Sequence, residues 1–246
     1  MELEGKTALV TGAAMGIGSA VARALRDEGA HVIVADRESE AGKRAAAELG
    51  GLFVRVDVAE DEELRRMIET AERFAGGLDI LVNNAGGVEE PVYPEAPVER
   101  WERVLAVNLR AVMLSTQIAL EPLRRRGGGA IVNVASVAGL GAGAHGAPEY
   151  AAAKAGVVRL TAALESLASE RIRVNVICPD YVDTPAMRRG LAELSEEERA
   201  SLPRLVPPAE VAGDALRLIR DDSLAGRVLV RFAEEEPYLL PRGVPR

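Results

Sequence analysis

Thr7-Ala8-Leu9-Val10-Thr11-Gly12-Ala13-Ala14-Met15-Gly16-Ile17-Gly18 is the stretch that decides the fold. An apolar run ends in a glycine-rich turn. The turn runs straight into Ile17 to Glu28, where apolar residues recur at i, i+3 and i+4. Strand, tight turn and helix in that order open a βαβ unit. The glycines permit the turn and let a phosphate approach the backbone, while the helix start offers N–H donors and a positive dipole end. A pyrophosphate is therefore expected against Gly12, Met15, Gly16, Ile17 and Gly18.

Outward from this unit, short apolar runs keep alternating with helical segments. Strands are predicted at Thr7 to Val10, His31 to Ala35, Leu52 to Val56, Ile80 to Val82, Ala130 to Val134, Ile172 to Ile177 and Val228 to Val230. Glu38 to Leu49 and Glu62 to Phe74 carry helical periodicity. Strands apolar on both faces and bounded by helices imply a parallel sheet covered on both sides. The expectation for 1–246 is an α/β, Rossmann-like, doubly wound single domain with about seven parallel strands. Two long apolar helices, from Trp101 through Leu109 to Leu123 and from Tyr150 to Ala168, are predicted to be buried in the core or against another subunit. Pro185 to Pro208 interrupts the alternation, and Ser195 with Glu198 forms a capping-box signature for a short extra helix. An insertion after a strand's carboxyl end is where a substrate lid, at about 185–207, would sit.

The second strand ends in Ala35-Asp36-Arg37, with Asp36 lying 18 positions after Gly18. An acidic group near that spacing accepts hydrogen bonds from the adenosine ribose and repels a 2′-phosphate. Asp36 thus favours NAD over NADP, whereas Arg37 is the residue that could hold a 2′-phosphate. Met15 is neutral and adds no second cation.

Bulk properties exclude other classes. With 38 acidic against 30 basic residues, a net charge of -8 and a pI near 5.1, no basic stripe is available for nucleic acid. No apolar run approaches the roughly 20 residues of a membrane helix, and the acidic start of the chain lacks an apolar signal region. One cysteine, Cys178, on a predicted buried strand, reads as an inert core thiol in a cytoplasmic protein. His31 and His145 lie in no metal-ligand spacing, so no metal site is expected.

Along most of the chain the motifs resemble those of the short-chain dehydrogenase/reductase family. Thr11 to Gly18 is similar to its glycine motif, Asp57-Val58 to its adenine-contacting pair, and Asn83-Asn84-Ala85-Gly86 to its Asn-Asn-Ala-Gly turn. Asn108 falls at its active-site asparagine, Ser136 follows the fifth strand, and Tyr150-Ala151-Ala152-Ala153-Lys154 matches Tyr-x-x-x-Lys. The resemblance implies hydride exchange between a nicotinamide cofactor and a small alcohol or carbonyl substrate. It makes Asn108, Ser136, Tyr150 and Lys154 the catalytic set. It places Asp57, Val58, Asn84, Ala85, Gly86, Tyr150, Lys154, Pro179, Val182 and Thr184 at the cofactor, and it implies a homotetramer or homodimer built through the two long helices.

Tyr150 and Lys154 are four apart on a predicted helix and share a face. A phenol of pKa about 10 needs roughly 4 kcal/mol to drop three units, which one cation near 4 Å can supply at an effective dielectric of about 20. Lys154 is thus expected to activate Tyr150. By resemblance, Tyr150 exchanges the alcohol proton, Ser136 holds the substrate oxygen, Lys154 also holds the nicotinamide ribose and Asn108 supports a relay water. A 3-oxoacyl-thioester reductase using NADPH is the alternative enzyme, and a catalytically silent dinucleotide sensor the alternative of another class.

Three departures bear on the substrate. The loop from Ser136 to Tyr150 is one residue longer than the commonest family spacing and rich in glycine. The usual Pro-Gly after the sixth strand reads Pro179-Asp180-Tyr181, and the turn is expected to survive because Asp tolerates positive φ better than most residues. Asp180 and Asp183 are expected to disfavour anionic substrates. The last strand runs into Arg231-Phe232-Ala233 and an acidic run, after which Tyr238-Leu239-Leu240 is expected to meet a neighbouring subunit or close the pocket. Gly87 to Pro94, Leu140 to Glu149, Tyr181 and Met187 to Leu194 are the expected pocket walls, suiting a compact uncharged or cationic carbonyl compound.

Overall fold

The computed structural model describes all residues except 89, 91, 142–143 and 243–246, and the side chains of 198 and 201. Strands β1 (Thr7–Thr11), β2 (His31–Asp36), β3 (Leu52–Arg55), β4 (Ile80–Asn83), β5 (Gly129–Val134), β6 (Ile172–Pro179), β7 (Val228–Arg231) and β8 (Tyr238–Leu239) form one sheet in the order β3-β2-β1-β4-β5-β6-β7-β8. Every pairing is parallel except β7 with β8. The order reverses between β1 and β4, which opens a crevice at the carboxyl ends of the strands.

Two helical layers cover the sheet because β-strand side chains alternate faces. On one face Val10, Val34, Val132 and Ile177 pack with α1 (Gly16–Asp27), α2 (Ser39–Leu49) and α9 (Pro208–Arg220). On the other, Leu9, Leu81, Ile131, Val174 and Cys178 meet α3 (Asp61–Arg73), α5 (Ala111–Arg125) and α6 (Pro148–Ala163). Helix α4 (Val98–Leu105) continues through a π-helical turn, Ala106–Arg110, into α5. This 28-residue run is long and apolar enough to cross a membrane by length and composition, its most apolar 18-residue window having mean hydropathy 1.3. Here Ala111, Val112, Ser115, Ala119 and Leu123 are buried within the fold.

Several expectations need correction. The sheet gains an eighth strand: Tyr238-Leu239 pairs antiparallel with Val230 and Leu229. Leu240 packs beside Val228 and Val157. The helix predicted from Tyr150 to Ala168 starts at Pro148, where proline at the first position suits a helix start. It ends at Ala163 and passes to a 3-10 turn, Glu165–Glu170. Within 185–207 lie two helices, α7 (Pro185–Glu193) and α8 (Glu196–Ser201); the Glu198 half of the predicted capping box lies outside the described residues. Asp180 needs no positive φ, since among the described non-glycine residues only Ala75 and Arg171 adopt it.

Candidate active site

The glycine turn is built as its sequence implies. Gly12 and Gly16 adopt positive φ, 63° and 59°, where an L side chain would be strained. A Cβ on Gly18 would stand 2.2 Å from the carbonyl oxygen of Gly12, so this glycine lets α1 pack on its own turn. Met15 caps α1 with no side-chain hydrogen bond, and the first turn holds no acidic residue. Those N–H groups and the dipole end form a cradle that fits a pyrophosphate.

At the end of β2, Asp36 accepts the Ala14 N–H at 2.9 Å through Oδ2 and the Glu38 N–H at 3.0 Å through Oδ1. Each carboxylate oxygen keeps a second acceptor site. Arg37 is exposed and approaches only Glu38, at 3.4 Å, among the described ion pairs. Asp57 has a partner on α4 that the sequence reading missed: its Oδ2 lies 2.5 Å from Arg103 Nη2. Burial pushes the Asp57 carboxyl up, but the Arg103 hydrogen bond, the Ala59 N–H and the charges of Arg103 and Arg37 hold it below the usual range. Val58 is buried beside Leu64 and Ala85 near Val107, in the layer under the crevice.

Asn84 ties two parts of the site together, donating from Nδ2 to the carbonyls of Thr11 at 2.9 Å and Gly12 at 3.1 Å. The Ala85 N–H donates to Thr11 Oγ1 at 3.1 Å. Asn108 lies fully buried in the π turn, a feature frequent at functional sites. Its Oδ1 accepts the Gly87 N–H at 3.0 Å, and its Nδ2 donates to the carbonyls of Gly87 at 2.7 Å and Val104 at 2.9 Å. A Cβ on Gly86 would meet Asn108 Oδ1 at 2.7 Å and Lys154 Nζ at 3.1 Å, so glycine allows these groups to converge.

Lys154, buried on α6, donates to the Val134 carbonyl at 2.9 Å, and its Nζ lies 5.5 Å from the centre of the Tyr150 ring. The Ser136 side chain lies near enough to Tyr150 to lower its pKa, and Ser136 Oγ accepts the Ala138 N–H at 3.1 Å. Burial drives the Tyr150 phenol above its ordinary pKa, and the Ser136 side chain only moderates this. The same burial pulls Lys154 down to about 8, so the group meant to lower its neighbour is itself held weakly in its charged form.

The structure also gathers groups that spacing could not place. Cys178 is buried under the pocket, close to Lys154 and within reach of the Ser136 N–H, and burial pushes its thiol up to about 12. His145 stacks on Tyr150 with ring centres 6.0 Å apart, anchored where its Nδ1 accepts the Ala147 N–H at 3.0 Å. Glu149 is buried, and its Oε1 accepts the Tyr93 N–H at 3.3 Å, fastening the 87–97 loop to the first turn of α6. Pro179 closes β6; Val182 bridges to Val206, and Thr184 caps α7 by accepting the Met187 N–H at 3.2 Å. Thr184 also borders the turn, 3.2 Å from where a Gly16 Cβ would stand. Of the expected pocket walls, Tyr93 and Tyr181 are exposed, and residues 89, 91 and 142–143 lie outside the described part.

Comparison with known proteins agrees with this geometry. The sequence model of the short chain dehydrogenase family matches residues 6–194. A 3-oxoacyl-(acyl-carrier-protein) reductase of Thermotoga maritima is 37% identical over 240 residues, covering 93% of this chain and 97% of the relative. The 15-hydroxyprostaglandin dehydrogenase (NAD(+)) of Mus musculus is 36% identical over 93% of this chain and 90% of its own length. A crystal structure of a short-chain type dehydrogenase/reductase from Mycobacterium marinum superimposes with a TM-score of 0.85 at 34% identity, covering 93% of this chain and 94% of that one. The chain belongs to the short-chain dehydrogenase family of oxidoreductases.

Proposed function

We propose that this protein is an NAD-dependent dehydrogenase that interconverts a secondary alcohol and its ketone. The observation that carries the reading is the buried Tyr150, with the Lys154 ammonium 5.5 Å from its ring centre and the Ser136 side chain near enough to hold its pKa down. A bound nicotinamide would accept or return hydride at the substrate carbon. In oxidation, Tyr150 Oη takes the hydroxyl proton while the Ser136 hydroxyl holds the substrate oxygen; in reduction the proton returns. Lys154 holds the ribose side of the site and Asn108 orders the Gly86-Gly87 turn beside it. Gly12, Met15, Gly16, Ile17 and Gly18 would seat the pyrophosphate, and Asp36 the adenosine ribose. Asp57, Val58, Asn84 and Ala85, with Pro179, Val182 and Thr184, would complete the cofactor contacts, under a lid formed by α7 and α8.

The preference for NAD rests on Asp36, whose carboxylate is held in place by two backbone N–H groups at the end of β2. An NADPH-dependent ketoreductase is the second reading, favoured by the exposed guanidinium of Arg37 and by the likeness to a 3-oxoacyl reductase. We also infer a homotetramer or homodimer, from the family likeness, and a cytoplasmic setting, which suits a chain whose one cysteine can form no internal disulfide. The deciding experiment is a panel of secondary alcohols with NAD and, separately, NADP, following nicotinamide reduction against Tyr150→Phe. Turnover with NAD that vanishes in the variant supports the reading. Turnover only with NADP moves the decision to Arg37, and NAD binding without any turnover replaces the enzyme by a dinucleotide sensor.

A further inference from the structure

Strand β6 sets the direction of Asp180. Along it Val174, Val176 and Cys178 pack on the side of α3, α5 and α6, whereas Ile177 joins the core on the side of α1 and α9. Asp180 prolongs the strand: its N–H donates to the Arg231 carbonyl at 2.9 Å, just past the Pro179–Arg231 register pair. With alternating faces, its side chain emerges on the same side as Cys178, roughly 7 Å further along. Cys178 is itself beside Lys154 and under Ser136. Asp180 therefore stands one step above the catalytic floor, on the face that carries Tyr150.

Acidic groups around it are already matched with cations. Asp183 makes a two-pronged pair with Arg188, at 2.5 and 2.7 Å. Asp214 and Glu210 share Arg231, at 2.7 and 3.2 Å. Asp180 is half-buried, and among the described residues no basic side chain pairs with it. Burial pushes its carboxyl up, and the Tyr181 N–H only partly offsets this. Lys154, the buried cation beside Cys178, spends its hydrogen bond on Val134. A partly desolvated carboxylate lacking a cation gains far more from an arriving ammonium than an exposed one does.

We propose that Asp180 determines specificity by binding a positively charged nitrogen on the substrate, so that the preferred substrates are amino alcohols and the matching amino ketones. This rests on the reading of the site as an alcohol dehydrogenase. It narrows the sequence expectation to one carboxylate, because Asp183 is occupied by Arg188.

Three alcohols of one skeleton and different charge test it: 1-amino-2-propanol, 2-butanol and 3-hydroxybutyrate, compared by kcat/KM with NAD. The amine is expected to exceed 2-butanol by about ten- to a hundredfold, the range of a charge-assisted hydrogen bond. In Asp180→Asn that ratio falls toward one and the hydroxybutyrate gains, while Asp180→Glu restores part of the ratio. If the three are not turned over, their inhibition constants against an alcohol that is oxidised carry the same ratio. NAD binding by protein fluorescence reports whether each variant is folded, with Asp180→Gly as a second replacement. A wild-type ratio at or below one overturns the proposal, as does a ratio that survives in Asp180→Asn. An equal fall for all three alcohols also overturns it, because the carboxylate then serves something common to each reaction. Neutral alcohols oxidised in a Tyr150-dependent way, without amine preference, leave the dehydrogenase reading standing and end this one. No Tyr150-dependent oxidation of any alcohol ends both.

Discussion

Lys154 Nζ lies 2.9 Å from the carbonyl oxygen of Val134 at the end of β5, and that bond fixes it beneath the Tyr150 ring. The ammonium is almost fully buried, and burial brings it down to about 8. In the unfolded chain the same group keeps its proton to about pH 10.4. Between those values the unfolded state binds more protons, so unfolding free energy rises with pH. The penalty is complete below about pH 8 and is relieved as pH climbs toward 10. Urea titrations at pH 7 and pH 10 should show wild type gaining up to about 3 kcal/mol on Lys154→Met. The variant's loss of the Val134 bond is constant and cancels from that difference. Parallel pH dependences would mean that the lysine is not held charged against burial.

Ser136 is expected to do two things at once, orient the substrate oxygen and hold down the Tyr150 phenol. Its side chain is what moderates the upward push of burial on Tyr150. Ser136→Ala should lower kcat/KM by about a hundred- to a thousandfold, as for loss of one donor at a developing charge. It should also move the rising limb of alcohol oxidation to higher pH. A serine that served only as the cap of the turn at Val137–Gly139 would lower the rate and leave the limb where it was.

Asp36 couples cofactor choice to the glycine turn, because the carboxylate that would meet the ribose also accepts the Ala14 N–H. Asp36→Ala should reduce kcat/KM for NAD by about ten- to a hundredfold, from charged hydrogen bonds of about 1.5–3 kcal/mol. Use of NADP should rise in relative terms, since the repulsion of a 2′-phosphate is gone and Arg37 stays exposed. An unchanged NADP-to-NAD ratio would place the ribose elsewhere.

What was legible in the sequence was local. The glycine turn, the strands and Tyr-x-x-x-Lys each declare themselves within a few residues, through φ requirements, two-residue alternation and helical spacing. The order of β1 to β7 and the meeting of Asn108, Ser136, Tyr150 and Lys154 follow from those local units and the family likeness. Strand β8 was hidden because two residues, Tyr238–Leu239, carry no periodicity and depend on the β7 edge to pair. Arg103 was hidden because a helix-surface arginine looks the same whether it faces water or crosses to Asp57. His145 stacks on Tyr150 only once the glycine-rich loop has folded, and sequence spacing does not fix that path. The direction of the Tyr150 shift was misread because the lysine's charge was counted and the burial of both groups was not.

Arg231 marks the point where the end of β7 is held for the substrate side of the site. Its guanidinium grips Asp214 of α9 from Nε at 2.7 Å and Nη2 at 2.8 Å, with both side chains largely buried. Its carbonyl receives the Asp180 N–H, so the ion pair and the Asp180 turn share one backbone segment. Removing Asp214 leaves the largely buried Arg231 with only the more exposed Glu210, at 3.2 Å, and the full loss of a buried partner costs about 3–5 kcal/mol. Asp214→Ala should therefore lower Tm by about 6 to 20 °C for a chain of this length. Replacing both groups by apolar residues, Arg231→Met with Asp214→Leu, should recover much of that loss, because no buried charge remains. Thermal melts of the single and double variants separate the two cases. If the double variant melts no higher than Asp214→Ala, the pair stabilises by mutual attraction rather than by avoiding an orphaned charge. The Asp180 turn would then lose its support in both.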